Sequence, residues 1–150
     1  MSFFDTLQEA TQHERQELFN LPIIRQALAG RVSLESYRAF LTQAYYHVRH
    51  TVPLMMACGA RLPIGLEWLR GAVCEYIDEE YGHEQWILND ISACGGDVDT
   101  VREGRPELPI ELMVGFLYDL IARDNPVGLF GMVNVRSEER RVGKECPRCV

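Results

Sequence analysis

The sequence predicts an all-α fold, a helical bundle, on three observations. Apolar residues recur in alternating threes and fours over long stretches, most clearly through Leu69, Val73, Tyr76, Ile87 and Cys94. Turn-forming residues fall between such stretches: Asn20-Leu21-Pro22, Gly30, Pro63 with Gly65, Gly95-Gly96 and Asn125-Pro126. No segment shows the strict alternation of a half-buried strand.

A first helix is expected over roughly Phe4 to Phe19, ended by Asn20-Leu21-Pro22. A short one follows to Ala29, where Gly30 supplies a left-handed stop. Ser33 then caps a long helix to about Arg61, bent at Pro53 because proline removes a backbone donor. Pro63 and Gly65 separate it from a helix over about Leu66 to Cys94, which Gly95-Gly96 ends. Asp97 starts a short turn, and Pro109 opens a helix through Arg123. After Asn125-Pro126 an apolar helical run resumes from Val127 to Val135.

One stripe carries chemistry. Between Tyr76 and Ile87 the apolar register passes through Glu80 and His83, in Asp78-Glu-Glu-Tyr-Gly-His-Glu-Gln-Trp86. At about 3.6 residues per turn, positions three apart share a helix face, so a carboxylate oxygen and an imidazole nitrogen can reach one metal ion. Burying an acid and a base is costly unless they are paired or bound to metal. Glu80 and His83 are therefore the candidate metal ligands, with a hydrogen-bonded buried pair as the plainer alternative. Spacing alone does not choose among iron, manganese and zinc. Two ligands are also too few, since a dinuclear site in a bundle takes about six. Glu79, about 100° round the helix, reads as solvated, with a place at a pocket rim left open. His47 shares a face with Phe40, Ala44, Thr51 and Leu54, and with Tyr45 it is a candidate pocket-lining residue; packing is the rival reading for both. Neither Cys58 nor Cys74 has an electropositive neighbourhood readable from sequence that would activate a thiol.

The chain carries a formal net charge of −7. Residues 136–150 hold five positive and three negative charges, which leaves −9 on residues 1–135. That balance argues against nucleic acid and anionic membrane as partners. No apolar run approaches the ~20 residues a membrane span needs, and no basic-then-apolar signal opens the chain. Cys58, Cys74 and Cys94 lie on helical patterns and read as buried thiols of a cytoplasmic protein.

Residues 136–150 read as foreign. Residues 1–135 contain ten arginines and no lysine, and the only lysine is Lys144. The run Arg136-Ser-Glu-Glu-Arg-Arg-Val-Gly-Lys-Glu-Cys146 reads as the one-frame translation of a common sequencing adapter. The expected organisation is a helical domain over 1–135, cut in mid-helix near Val135 and lacking its C-terminal helices, followed by a non-native tail. Cys146 and Cys149 imitate a redox or zinc motif and carry no functional weight.

Three segments carry a family resemblance: Tyr45-Tyr-His-Val-Arg-His-Thr-Val-Pro53, Glu79-Glu-Tyr-Gly-His-Glu-Gln-Trp-Ile-Leu-Asn-Asp90 and Asn125-Pro-Val-Gly-Leu-Phe-Gly-Met-Val133. Together they resemble the heme-oxygenase-like superfamily, and within it the TenA/PqqC-like iron-containing redox enzymes, many of them non-heme diiron oxidases or oxygenases. The resemblance runs from about residue 3 to Val135. It implies Glu80 and His83 as ligands of one iron of a pair, with manganese an alternative metal. The family's next Glu ligand falls where the adapter-like tail begins. Glu138 and Glu139 lie nearby but read as adapter-encoded, so the role is not carried over to them. The family's last helix, with its His-x3-Asp-x2-His set, has no counterpart here. His13 does not take over the axial role known from true heme oxygenases, because their histidine falls about two residues later, at Arg15, some 200° round the helix.

The resulting expectation is a fragment of a non-heme diiron oxidase or oxygenase that activates dioxygen to oxidise a small organic substrate. As given, it should bind iron weakly and be inactive, with catalytic residues unassigned. The rivals are a metal-free PqqC-like oxidase or TenA-like thiamin-salvage hydrolase, and a non-catalytic helical binding protein. Expected partners are the substrate and dioxygen, with a homodimer left open.

Overall fold

The computed structural model describes residues 2–132, and within them every regular element is helical. Expectations for residues 133–150, including the adapter-like tail with Glu138, Glu139, Lys144, Cys146 and Cys149, lie outside the described residues. The chain divides into two compact units, residues 1–39 and residues 40–150.

The first unit holds α1 (Phe3–Ala10), α2 (Gln12–Asn20) and α3 (Pro22–Leu28). Ser2 caps α1 in a reciprocal box: its hydroxyl accepts from the Asp5 amide at 3.2 Å, and the Asp5 carboxylate accepts from the Ser2 amide at 2.8 Å. The single helix expected over Phe4 to Phe19 is interrupted at Thr11, whose hydroxyl donates to the Leu7 carbonyl at 2.8 Å. A threonine bonding back one turn competes with the helix ladder and bends it. Pro22 stands at the start of α3, where its missing N–H is not needed.

The second unit contains most of α4 (Leu34–Val48), then α5 (Thr51–Arg61), α6 (Glu67–Glu80), α7 (His83–Ala93), α8 (Val98–Glu103) and α9 (Leu108–Arg123). Short 3-10 turns at Ile64–Leu66 and Pro126–Gly128 link some of them, and residues 129–132 are again helical. The helix expected from Ser33 to Arg61 does not bend at Pro53; it stops at Arg49–His50 and restarts at Thr51. A proline ring collides with the carbonyl four residues back, here that of Arg49. The break falls there and leaves Pro53 in the first turn of α5, where no amide is required.

Two apolar clusters hold the unit together. Leu54, Met55, Cys58 and Leu62 of α5 and its end meet Val73 of α6, Leu117 and Ile121 of α9, and Leu129. Leu41, Tyr45 and Tyr46 of α4 meet Leu88 and Ile91 of α7 and Val101 of α8. Arg70 ties α6 to the end of α5, donating to the Gly59 carbonyl at 2.9 Å and to the Leu62 carbonyl. These are carbonyls that a helix end leaves without an internal partner. On α9, Leu108, Leu112 and Phe116 lie four residues apart along one face, all largely exposed.

Asp97 begins a true helix rather than a turn: its carboxylate accepts from the Asp99 and Thr100 amides at 3.0 and 3.2 Å and starts α8. No described helix is long and apolar enough to cross a membrane.

Candidate functional site

The helix expected over Leu66 to Cys94 is two helices. α6 ends at Glu80, and α7 begins at His83. Between them Gly82 takes φ 85°, a left-handed conformation that an L side chain adopts only under strain. Glu80 and His83 nevertheless meet, with Glu80 Oε2 and His83 Nδ1 2.9 Å apart. Glu80 is 2% exposed, among the few buried polar side chains, and the His83 side chain is 15% exposed. The Trp86 ring, one turn along α7, lies against the imidazole with ring centres 4.2 Å apart.

The other sequence candidates are placed differently. Tyr45 is buried in the α4–α7–α8 cluster, tilted against Tyr46 at 5.6 Å. His47 is half-buried near the end of α4, and Glu79 is exposed. His13 is exposed in α2, with Nδ1 3.8 Å from Glu17. Cys58 is fully buried; its thiol donates to the Pro126 carbonyl at 3.2 Å, and burial pushes its pKa up. Cys74 is exposed.

A second group of residues gathers apart from the Glu80–His83 pair. A cleft of about 400 Å³ opens where the Arg49–His50 break faces the loop after α8 and one side of α9. Its lining includes Tyr46, Arg49, His50, Arg105, Glu111 and Tyr118. His50 Nδ1 lies 3.1 Å from the Tyr118 hydroxyl, with the two rings edge to face. Burial, and then the Arg49 charge, hold the His50 pKa below its ordinary value, while burial raises that of Tyr118. The Arg49 guanidinium sits 5.3 Å from the Tyr46 ring centre. The loop reaches Tyr46 because residue 104 is glycine: a Cβ there would collide with the Tyr46 hydroxyl. His50 and Tyr118 are 68 residues apart, and only packing brings them together.

The sequence model of a family described as iron-containing redox enzymes matches residues 38–145. The chain belongs to that family. The match takes in the α6–α7 junction and the cleft, and it runs on into the segment that reads as adapter-like. A solved structure described as a domain of unknown function with a heme oxygenase-like fold, from Shewanella denitrificans OS217, is similar with a TM-score of 0.70 and 25% identity. The similarity covers 85% of this chain and 55% of that one, so the chain spans little more than half the length of that relative. No curated protein matches the sequence. The fold of this iron-containing redox enzyme family member is thus heme-oxygenase-like and all-α, in agreement with the sequence pattern.

Membership in an iron-containing family poses a chemical question of fit. Iron takes carboxylate oxygen and imidazole nitrogen, and Glu80 with His83 offers one of each from a buried position. Among the described residues, no group of three or more His, Cys, Asp or Glu side chains is arranged to hold a metal. The pair suits iron in kind and is short in number.

Proposed function

We propose that Glu80 and His83 supply two ligands of a non-heme diiron centre, and that the parent enzyme uses it to oxidise a small organic substrate with dioxygen. The observation that carries this reading is the 2.9 Å approach of a buried carboxylate and an imidazole in an iron-containing redox family. Iron, when bound, supplies the redox chemistry on dioxygen. The chain's own residues do the positioning. Glu80 offers a carboxylate beside the start of α7, and Trp86 limits how the His83 ring can turn. Two donors, all that the described residues bring together, leave most coordination positions to be filled, so this reading expects weak iron binding by this chain alone.

The thiol-based alternative finds little support in the geometry. A nucleophilic cysteine needs an accessible thiol with a depressed pKa, and Cys58 is buried with the opposite shift. Cys74 forms no hydrogen bond or ion pair to an activating base among the described residues.

Trp86 reports on the site. In a Trp68→Phe background, anaerobic iron(II) should quench Trp86 fluorescence in a saturable titration, because a metal held by His83 lies within reach of that ring. Glu80→Gln and His83→Gln should each weaken the effect by about tenfold or more. Absence of quenching, or quenching untouched by both substitutions, would count against the assignment.

A further inference from the structure

We infer that the cleft at the Arg49–His50 break is a binding site for a small organic carboxylate, separate from the Glu80–His83 pair. Neither Glu80 nor His83 lines it, so the inference stands whether or not that pair binds metal. Four observations converge on this ligand class.

The first is charge. Arg49 and Arg105 both line the cleft, and among the described residues neither has a carboxylate partner. Two guanidiniums facing one cleft stand out on a chain of net charge −7. A guanidinium fork matches a carboxylate with two parallel hydrogen bonds. Glu111 also lines the cleft, so with neutral His50 the lining carries one net positive charge. That balance suits a single negative charge better than a phosphate dianion.

The second is organisation. Arg49 is stacked at Tyr46 and Tyr45, 5.3 and 5.7 Å from their ring centres, which restrains a side chain that would otherwise lose much freedom on binding. Gly104 lets the Arg105 loop close on Tyr46.

The third is hydrogen bonding. In the tautomer where His50 Nδ1 accepts from the Tyr118 hydroxyl, Nε2 carries the ring proton and is a donor. A neutral imidazole fixed this way offers a ligand a directed contact from the wall.

The fourth is space. Gly115 sits in the middle of α9 at the cleft wall with a negative φ, and a Cβ there would meet nothing within 4 Å. Glycine is a poor helix former, and neither backbone nor packing calls for it here. Its absent side chain leaves room in the cleft. A volume of about 400 Å³ with Pro106, Val114 and the tyrosine rings in its walls accepts an apolar body behind the carboxylate.

Isothermal titration calorimetry on the whole chain tests this with benzoate, its neutral analogue benzamide, and inorganic phosphate. Benzoate should bind, and benzamide and phosphate should bind at least about tenfold more weakly, the loss of one charge-assisted pairing. Arg105→Gln removes charge at an exposed loop position, and Gly115→Leu, whose Cβ would meet nothing within 4 Å, puts a side chain into the space; each should weaken benzoate by about tenfold or more. Arg102→Gln, at a residue that does not line the cleft, should leave binding unchanged. Circular dichroism checks that each variant is folded, and one folded variant is enough to decide the matter. The inference is overturned if benzoate does not bind, if benzamide or phosphate binds as well as benzoate, or if a folded Arg105→Gln or Gly115→Leu chain binds like the parent.

Discussion

Glu80 closes α6 and His83 opens α7, yet their side chains lie 2.9 Å apart across a break in the backbone. In an unbroken helix the same spacing would stack them by geometry alone. Here the left-handed Gly82 restarts the chain so that the Glu80 carboxylate stays beside the first turn of the eleven-residue α7. The N-terminal end of a helix carries partial positive charge, which favours a carboxylate at that place. The break thus holds the pair in one arrangement while freeing His83 from the ladder of α6.

Gly82→Ala should therefore lower stability by about 1 kcal/mol, the typical cost of forcing an L side chain into the left-handed region. Nothing lies within 4 Å of the added Cβ, so the cost is conformational rather than steric. Urea unfolding measures it, and an unchanged midpoint would show that residue 82 does not need its positive φ. If the strain is relieved by moving α7, iron(II) quenching of Trp86 should weaken as well.

Gly104→Ala tests the opposite kind of glycine, one fixed by space. Its φ is −72°, so any residue could adopt the backbone, but the Cβ would strike the hydroxyl of Tyr46, which is 3% exposed. Overpacking of this kind costs about 1–3 kcal/mol. Gly104→Ala with Tyr46→Phe removes the struck hydroxyl and should recover part of the loss. Equal stability of both chains would mean that the loop moves aside freely.

Thiol reactivity should separate the three cysteines. In a chain with Cys146 and Cys149 replaced by serine, a disulfide reagent should label exposed Cys74 first and half-exposed Cys94 more slowly. Cys58 should react only on unfolding, since it is fully buried, its thiol is engaged by the Pro126 carbonyl, and its pKa is raised. Rapid labelling of Cys58 in the folded chain would revive a thiol-based mechanism.

Much of the fold was legible because its punctuation is chemical. Pro22, Pro63, Gly95-Gly96 and Asn125-Pro126 end helices by rules that act within a few residues, and the structure has ends at each of them. Three breaks were not legible: at Thr11, at Arg49–His50 and at Tyr81–Gly82. At the last two the apolar register continues through the interruption, so a count in threes and fours runs on as if the helix did; at Thr11 the chain is polar from Gln12 to Glu17, and no glycine or proline marks the stop. The same count picked out Glu80 and His83, whose buried approach survives the break. No one segment shows the cleft as a whole. Arg49, Arg105 and Tyr118 come from three distant stretches, and the pattern of each alone reads as surface or packing.

His50 should make stability depend on pH. It titrates less readily in the folded chain than in the unfolded one, first because it is partly buried and then because Arg49 is adjacent. Arg105 and Glu111 also line its cleft, with opposite signs of charge. A base whose folded pKa is depressed is protonated more readily in the unfolded state, which then binds more protons. Stability from this group is thus fully present above the ordinary histidine value of about 6.5 and declines as pH falls through the folded value. The Tyr118 contact reinforces the direction if Nδ1 is the acceptor, because protonation of the ring destroys that acceptor. His50→Gln should remove this component, so the difference in stability between parent and variant should shrink as pH falls from 8 to 5. Urea midpoints across that range measure it. Parallel profiles would show that His50 titrates alike folded and unfolded, and a difference that grows toward acid would reverse the sign argued here.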